Sequence, residues 1–157
     1  MKVFEVMTID VGFCHLEDNL TKAAAIMWQK DCGVVPVVDA EKHVVGVVTD
    51  RDICIAAATR NQKTSSIKAS EMNFRPAIVC AMEDDVKDVL RRMRKNKIKR
   101  LCVTNKDKEL LGIISLTDIL LKAGEKKSVR KLIISTLNAI AKTTPIVLRE
   151  ENEVADN

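Results

Sequence analysis

One offset constrains this chain more than anything else in it. Gly46-Val47-Val48-Thr49-Asp50-Arg51-Asp52-Ile53 returns sixty-six positions later as Gly112-Ile113-Ile114-Ser115-Leu116-Thr117-Asp118-Ile119, with glycine, hydroxyl residue and aspartate in register. The same offset, without a gap, pairs Lys2 with Lys68, Cys14 with Cys80, Asp18 with Asp84, Met27 with Met93, Val37 with Val103 and Ala57 with Ala123. A fixed-period self-match of this kind is the signature of a duplicated structural unit. With 157 residues in all, neither copy alone would bury enough surface to be secure. The expectation is two halves sharing one core.

The pattern inside each copy is legible. A short apolar run (Val11 to Cys14, Ala77 to Cys80) precedes acidic caps at Glu17-Asp18-Asn19 and Glu83-Asp84-Asp85. There negative charge favours a helix start. Leu20, Ala24 and Met27, and likewise Val86, Leu90 and Met93, recur at helical spacing, whereas Trp28 faces Arg94 across the alignment. Two apolar runs around a polar turn (Val34–Val38 and Val44–Val48; Leu101–Val103 and Leu110–Ile114) predict a hairpin. Gly46 and Gly112 mark places where something approaches the backbone. A second helix is expected from Thr49 and from Ser115. The lead-ins 2–7 and 68–73 read as short turns, with Met7 and Met72 as apolar plugs. Residues 59–66 are a polar linker. Val129, Leu132, Ile133, Thr136, Leu137 and Ile140 form one face of a final helix over 128–142, with Pro145 beyond it and a disordered acidic tail over 149–157. The expected division is 1–58, 59–66, 67–124 and 125–157.

Composition narrows the function classes. Hydrophobic content is 46% and charged content 31%, the formal net charge is +4, and Trp28, Phe4, Phe13 and Phe74 are the only aromatics. No apolar run reaches the roughly 18 residues of a membrane span and the N-terminus lacks a secretory h-region, so a soluble, cytoplasmic protein is expected. Cys14, Cys32, Cys54, Cys80 and Cys102 form no C-x-x-C and read as small buried hydrophobes in a reducing compartment. His15 and His43 show no ligand spacing, and no metal site is expected. Nucleophile-elbow, P-loop and dinucleotide fingerprints are all missing, and no Cys–His catalytic pairing is legible, so the chain does not read as an enzyme. The basic run Arg91, Arg92, Arg94, Lys95, Lys97, Lys99, Arg100 reads first as a solvated helix face and second as an attractor of phosphates. Nucleic-acid binding ranks last, for want of aromatic interleaving or a reader motif.

Thr49-x-x-Asp52 and Ser115-x-x-Asp118 are capping boxes, which alone could account for them. They are also helix amino ends with a hydroxyl donor and a carboxylate acceptor, chemistry suited to a phosphate and to vicinal sugar hydroxyls. Both readings stand on the residues alone.

The strand-helix-strand-strand-helix order, found twice with G-h-h-h-[ST]-x-x-D, resembles the tandem CBS domain pair, or Bateman module. The resemblance covers residues 2–124 and rests on Val34-Val35-Pro36-Val37-Val38-Asp39, on Arg100-Leu101-Cys102-Val103-Thr104-Asn105 and on the two glycine segments. Cys102 stands where the family has proline. The resemblance implies a mixed α/β (α+β) fold of two pseudo-symmetric β-α-β-β-α repeats packed as one module, to which the C-terminal helix is added. It also implies a regulatory adenosyl ligand (AMP, ADP, ATP or S-adenosylmethionine), with no required cofactor. Thr49 and Ser115 would meet phosphate, and Asp52 and Asp118 ribose. The adenine slots would be Val11, Gly12, Phe13, Val35 and Pro36 in one site and Ala77, Ile78, Leu101 and Cys102 in the other, with Arg51, Lys99 and Arg100 neutralising phosphates. A homodimer formed through helices and a separate effector protein complete the expectation. The alternative is a ligand-free dimerisation or interaction module working through the C-terminal helix.

Overall fold

The computed structural model describes residues 1–72, 77–124 and 126–142. Phe74, Pro76, Pro145 and the acidic tail of the sequence reading lie outside them. Each repeat builds a three-stranded sheet with two helices. In repeat 1 these are β1 (Cys14–His15), α1 (Leu20–Gln29), β2 (Val34–Val38), β3 (Val44–Thr49) and α2 (Asp50–Thr59). In repeat 2 they are β4 (Val79–Ala81), α3 (Val86–Asn96), β5 (Arg100–Thr104), β6 (Leu110–Ser115) and α4 (Leu116–Ala123), and α5 (Lys127–Ala141) follows. The sheets run β1-β2-β3 and β4-β5-β6, each with a parallel pair made by a helical crossover and an antiparallel hairpin. The expected α/β (α+β) architecture of two like repeats plus a terminal helix is what forms.

Local chemistry sets the element ends. Asn19 caps α1 by accepting from Lys22 N (3.0 Å), and Asp85 caps α3 by accepting from Lys87 N (2.8 Å). Both hairpin turns are held by one side chain: Asp39 Oδ1 accepts from Glu41 N and His43 N, and Asn105 Oδ1 from Asp107 N and Glu109 N. Lys42 and Lys108 take matching left-handed conformations, at φ 66° and 67°. The turns also meet, through Val44 N to Lys108 O (3.0 Å) and Leu110 N to Lys42 O (3.2 Å), so the hairpins join the repeats.

Several expectations need correction. The first strand is shorter than 11–14 because Val11 N turns back onto Ile9 O (2.9 Å), which keeps residues 9–11 out of the ladder. On α1 it is Ala23, with Leu20 and Met27, that is buried, while Ala24 is half-buried. Cys54 is exposed and Cys32 half-buried, so only Cys14, Cys80 and Cys102 behave as core residues. Burial raises their thiol pKa values from 9.0, to about 11 for Cys14 and about 12 for Cys80 and Cys102.

The largest correction concerns the core. There are two buried clusters, one per sheet, and the lead-ins are exchanged between them. Val3 and Val6 pack with Leu90, Leu101 and Ile119 of repeat 2, whereas Ile67 and Ala69 pack with Leu20 and Val35 of repeat 1. Val3 and Ala69 lie in short 3-10 helices, Val3–Glu5 and Ala69–Glu71, with Val6 and Ile67 just outside them, and the backbone seals the exchange: Val3 N to Asp84 O (3.1 Å) and Val86 N to Met1 O (3.0 Å) on one side, Leu20 N to Ile67 O (2.9 Å) and Ala69 N to Asp18 O (2.7 Å) on the other. Met7 and Met72 do act as plugs, each against the opposite repeat's core.

The terminal helix packs on its own chain. Val129, Ile133 and Thr136 are buried, and Thr136 Oγ1 donates to Leu90 O at 3.2 Å across the contact with α3. Leu137 of the expected face is 41% exposed, so the buried stripe is narrower than the sequence pattern. Among the described residues no helix is long and apolar enough to cross a membrane.

Candidate functional site

The duplicated helix starts form first as caps. Thr49 N donates to Asp52 Oδ2 (2.9 Å), Thr49 Oγ1 donates to the same oxygen (2.7 Å), and Asp52 N donates back to Thr49 Oγ1 (3.2 Å). In repeat 2, Ser115 N donates to Asp118 Oδ2 (2.8 Å) and Asp118 N to Ser115 Oγ (3.0 Å). All four side chains are half-buried at the ends of β3 and β6, and the capping-box reading holds in full. A ligand there would have to share the carboxylates with the caps, and it would draw the Thr49 hydroxyl away from Asp52.

The hairpin registers decide which cations stand beside these starts. Arg100 is the cross-strand partner of Ser115, and the Lys99 carbonyl accepts from Leu116 N at 2.9 Å, so both bases of repeat 2 lie next to its helix start. In repeat 1 the equivalent partner of Thr49 is Val34. The repeat 1 cation is Arg51, exposed between Asp50 and Asp52. The two starts share a backbone and differ in charge.

The expected adenine-slot residues divide by burial. Val11, Gly12, Phe13, Ala77 and Ile78 are half-buried at the entrances to β1 and β4. Val35, Pro36, Leu101 and Cys102 are buried inside β2 and β5, with Val35 and Leu101 in the two cores, so their side chains serve packing. A Cβ at Gly12 would stand 2.4 Å from Ile26 Cγ2, which ties that glycine to contact with α1. Pro36 sits just beyond the β1 pairing, which reaches only Val37 and Val38, so its missing N–H breaks no parallel ladder. Cys102 has an N–H, and β4 pairs one residue further, Val79 with Cys102. The departure from proline lengthens a strand.

Gly112 answers the question of what approaches the second hairpin strand. A Cβ there would lie 2.5 Å from Thr8 O and 2.9 Å from Met7 Cε, because Thr8 pairs with Ile113. The visitor is the exchanged lead-in.

Two features were not anticipated. A cavity of about 780 Å3 opens between α1 and α2, lined by Ala24, Met27, Trp28 and Ile53 with Asp31 and Asp50 among its polar residues. It lies on the helical face of repeat 1, and neither Thr49 nor Asp52 lines it. The Trp28–Arg94 mismatch was its only sequence signal. Second, both histidines gather at Asp39: His43 Nδ1 is 3.0 Å from Oδ2 and His15 Nδ1 is 3.3 Å from the carbonyl. Asp39, Glu41 and His43 place potential metal-ligand atoms within 4.8 Å of one another. Burial would raise the Asp39 pKa, but the backbone and ring donors of His43 outweigh it and hold the carboxyl below its ordinary range. Asn105 builds the same turn in repeat 2 with no carboxylate at that position, so the arrangement is accounted for by turn formation.

Comparison with known proteins agrees with this geometry. A family model described as CBS domain matches residues 3–58 and again 69–125. The uncharacterized protein YlbB of Bacillus subtilis is 35% identical over 121 residues, which cover 75% of this chain and 79% of that protein. Of two longer relatives the chain spans only 23% and 24% of the length. Among solved structures, a CBS domain protein from Pyrobaculum aerophilum complexed with AMP superposes at TM-score 0.71, with 20% identity, over 86% of this chain and 99% of that one. The CBS domain pair of protein MJ0100, in complex with 5'-methylthioadenosine and S-adenosyl-L-methionine, superposes at TM-score 0.68 with 24% identity, over 81% and 98%. With two matched copies, two like sheets and a capping box at the head of each second helix, this chain belongs to the CBS domain family as a tandem pair.

Proposed function

We propose that the chain is a regulatory sensor that takes an adenosine-containing ligand between its repeats. The observation that carries this reading is the duplicated hydroxyl-and-carboxylate helix start, held in the same geometry at both places although the flanking side chains have diverged. The positive dipole end of each second helix favours phosphate, and each aspartate has a second oxygen to offer ribose hydroxyls. Structures of family members carrying AMP, or S-adenosylmethionine with methylthioadenosine, support the ligand class. In this reading Thr49 and Ser115 donate to phosphate, Asp52 and Asp118 accept from ribose, and Arg51, Lys99 and Arg100 balance charge. Val11, Gly12, Phe13, Ala77 and Ile78 flank the base by side chain or backbone, and Val35, Pro36, Leu101 and Cys102 shape the slot from behind.

The bodies 1–58 and 67–124, joined by 59–66, would respond as one unit, because each depends on the other's lead-in. The module is regulatory and not itself an enzyme in this reading. A homodimer and a separate effector would carry the output within the cytoplasm, with no membrane or nucleic acid involved. A ligand-free interaction module is the second reading, favoured by Trp28 at 89% and Ile134 at 59% exposure.

Titration calorimetry with AMP, ATP and S-adenosylmethionine, paired with a thermal scan, separates the two. A ligand at 100 times its dissociation constant adds about 2.7 kcal/mol to stability. Absence of heat and of any thermal shift for all three compounds eliminates the sensor.

A further inference from the structure

The two helical faces of this pseudo-symmetric chain are finished differently. On repeat 2, α5 lies over α3 and α4, burying Val129 and Ile133 in the repeat 2 core while Arg94 Nη1 donates to Ser135 Oγ at 3.0 Å. On repeat 1 the same place is the 780 Å3 cavity. The match holds position by position: Ala24 and Ile53 line the cavity and are only half-buried, and sixty-six residues on, Leu90 and Ile119 are fully buried. Trp28, 89% exposed at the cavity wall, stands where repeat 2 has Arg94. The chain's other half thus shows what such a groove accepts: an amphipathic helix.

We propose that a second copy of this chain fills the repeat 1 groove with the outer face of its α5, each copy receiving the other's helix. This deepens the homodimer part of the function proposed above and does not depend on the ligand. Charge selects the occupant. The groove carries Asp31 and Asp50, while α5 holds Lys127, Arg130 and Lys131 and no acid from Lys127 to Ala141. Pairing groove to groove about a two-fold axis would instead bring four carboxylates together. The outer face of α5 also has the apolar residues required, Ile134 at 59% and Leu137 at 41% exposure, on a helix whose other face is already spent in cis. A closed two-fold pair makes the contact twice, which doubles the buried area toward the roughly 1,200 Å2 of a specific interface.

Trp28 is the only tryptophan in the chain and reports directly on the groove. The test is light scattering and tryptophan emission of the full chain across a dilution series. The expected result is a dimer whose emission shifts to shorter wavelength as it forms. Ile134→Asp should raise the dimer dissociation constant at least tenfold and return the emission to that of a water-exposed indole, with unchanged helicity by circular dichroism. Because Ile134 is exposed, its replacement leaves the fold intact. Asp31→Lys with Asp50→Lys should weaken the dimer, and Lys131→Glu added to that pair should restore part of it. A dimer with Trp28 still in water, or one indifferent to Ile134→Asp, overturns the proposed face and leaves the homodimer expectation standing. A monomer at all concentrations overturns both, and neither result bears on nucleotide binding.

Discussion

Asp118→Ala separates the capping role of the helix start from the binding role proposed for it, because the two predict different pairs of effects. The carboxylate accepts from Ser115 N at 2.8 Å, and its removal leaves that donor to water at a half-buried site. Loss of a cap contact costs about 1 kcal/mol, which in a chain of this size lowers the melting temperature by roughly 2–4 °C. The backbone half of the box survives, since Asp118 N, now an alanine N–H, still donates to Ser115 Oγ. A charge-assisted hydrogen bond to a ribose hydroxyl contributes about 1.5–3 kcal/mol, so nucleotide affinity at this start should fall roughly ten- to a hundredfold. The assay is titration calorimetry with AMP beside differential scanning calorimetry without ligand. Ser115→Ala is the control: it removes the acceptor for Asp118 N, costs similar stability, and should weaken phosphate contact alone. If Asp118→Ala melts a few degrees lower and binds AMP as the unaltered chain does, the carboxylate is a cap and nothing more.

Other perturbations test the architecture around the site. Gly112→Ala pushes a Cβ to within 2.5 Å of the Thr8 carbonyl, backbone that has no rotamer to escape into, and should cost about 1–3 kcal/mol by thermal denaturation; an unchanged melting point would mean that Thr8 is not seated there. Val3→Ala opens the repeat 2 core from the far end of the sequence, and hydrogen exchange should show protection lost over 86–93 before 20–29; the reverse order would refute the exchanged lead-ins. Arg100→Ala should reduce ATP affinity about twofold to fivefold and AMP affinity less, since an exposed pair contributes up to about 1 kcal/mol and scales with phosphate charge; equal losses for the two nucleotides would remove Arg100 from the phosphate end. Cys80 and Cys102 hold their protons more tightly folded than unfolded, from 9.0 to about 12, so their contribution is complete below pH 9 and declines toward 12; a flat unfolding midpoint across that window would contradict their burial.

What could be read from the chain was whatever is local. Caps, hairpins and helix starts depend on residues within four positions of one another. Asn19, Asp85, Thr49 and Ser115 therefore announce their elements directly, and the offset of 66 then doubles every inference. The exchange of lead-ins could not be read this way. Val3 and Ala69 occupy three-residue 3-10 turns with no periodicity, and the repeat alignment itself invites each to be assigned to the copy it precedes. Which residues of the expected slot pack inward was also illegible: β2 is an unbroken apolar run buried along its whole length, as such a run suggests, and its pattern does not separate a core side chain such as Val35 from one facing the slot.

Duplication preserves backbone and releases side chains, and that division of labour has a functional consequence. Both helix starts keep hydroxyl, carboxylate and dipole, because the cap geometry needs all three whether or not a ligand comes. Charge has no such constraint. Arg51 stands where repeat 2 has Thr117, and Val34 where it has Arg100, so repeat 1 sets one cation between two aspartates while repeat 2 sets Lys99 and Arg100 beside one. Opposite charges at hydrogen-bonding range favour the site with the surplus of cations. A nucleotide with more phosphates should therefore load the Ser115–Asp118 start first, leaving the Thr49–Asp52 start to a ligand of lower charge. Competition between ATP and S-adenosylmethionine on the Asp52→Ala and Asp118→Ala variants tests this ordering, and equal retention of ATP by both would show that the side-chain divergence has no effect on selection.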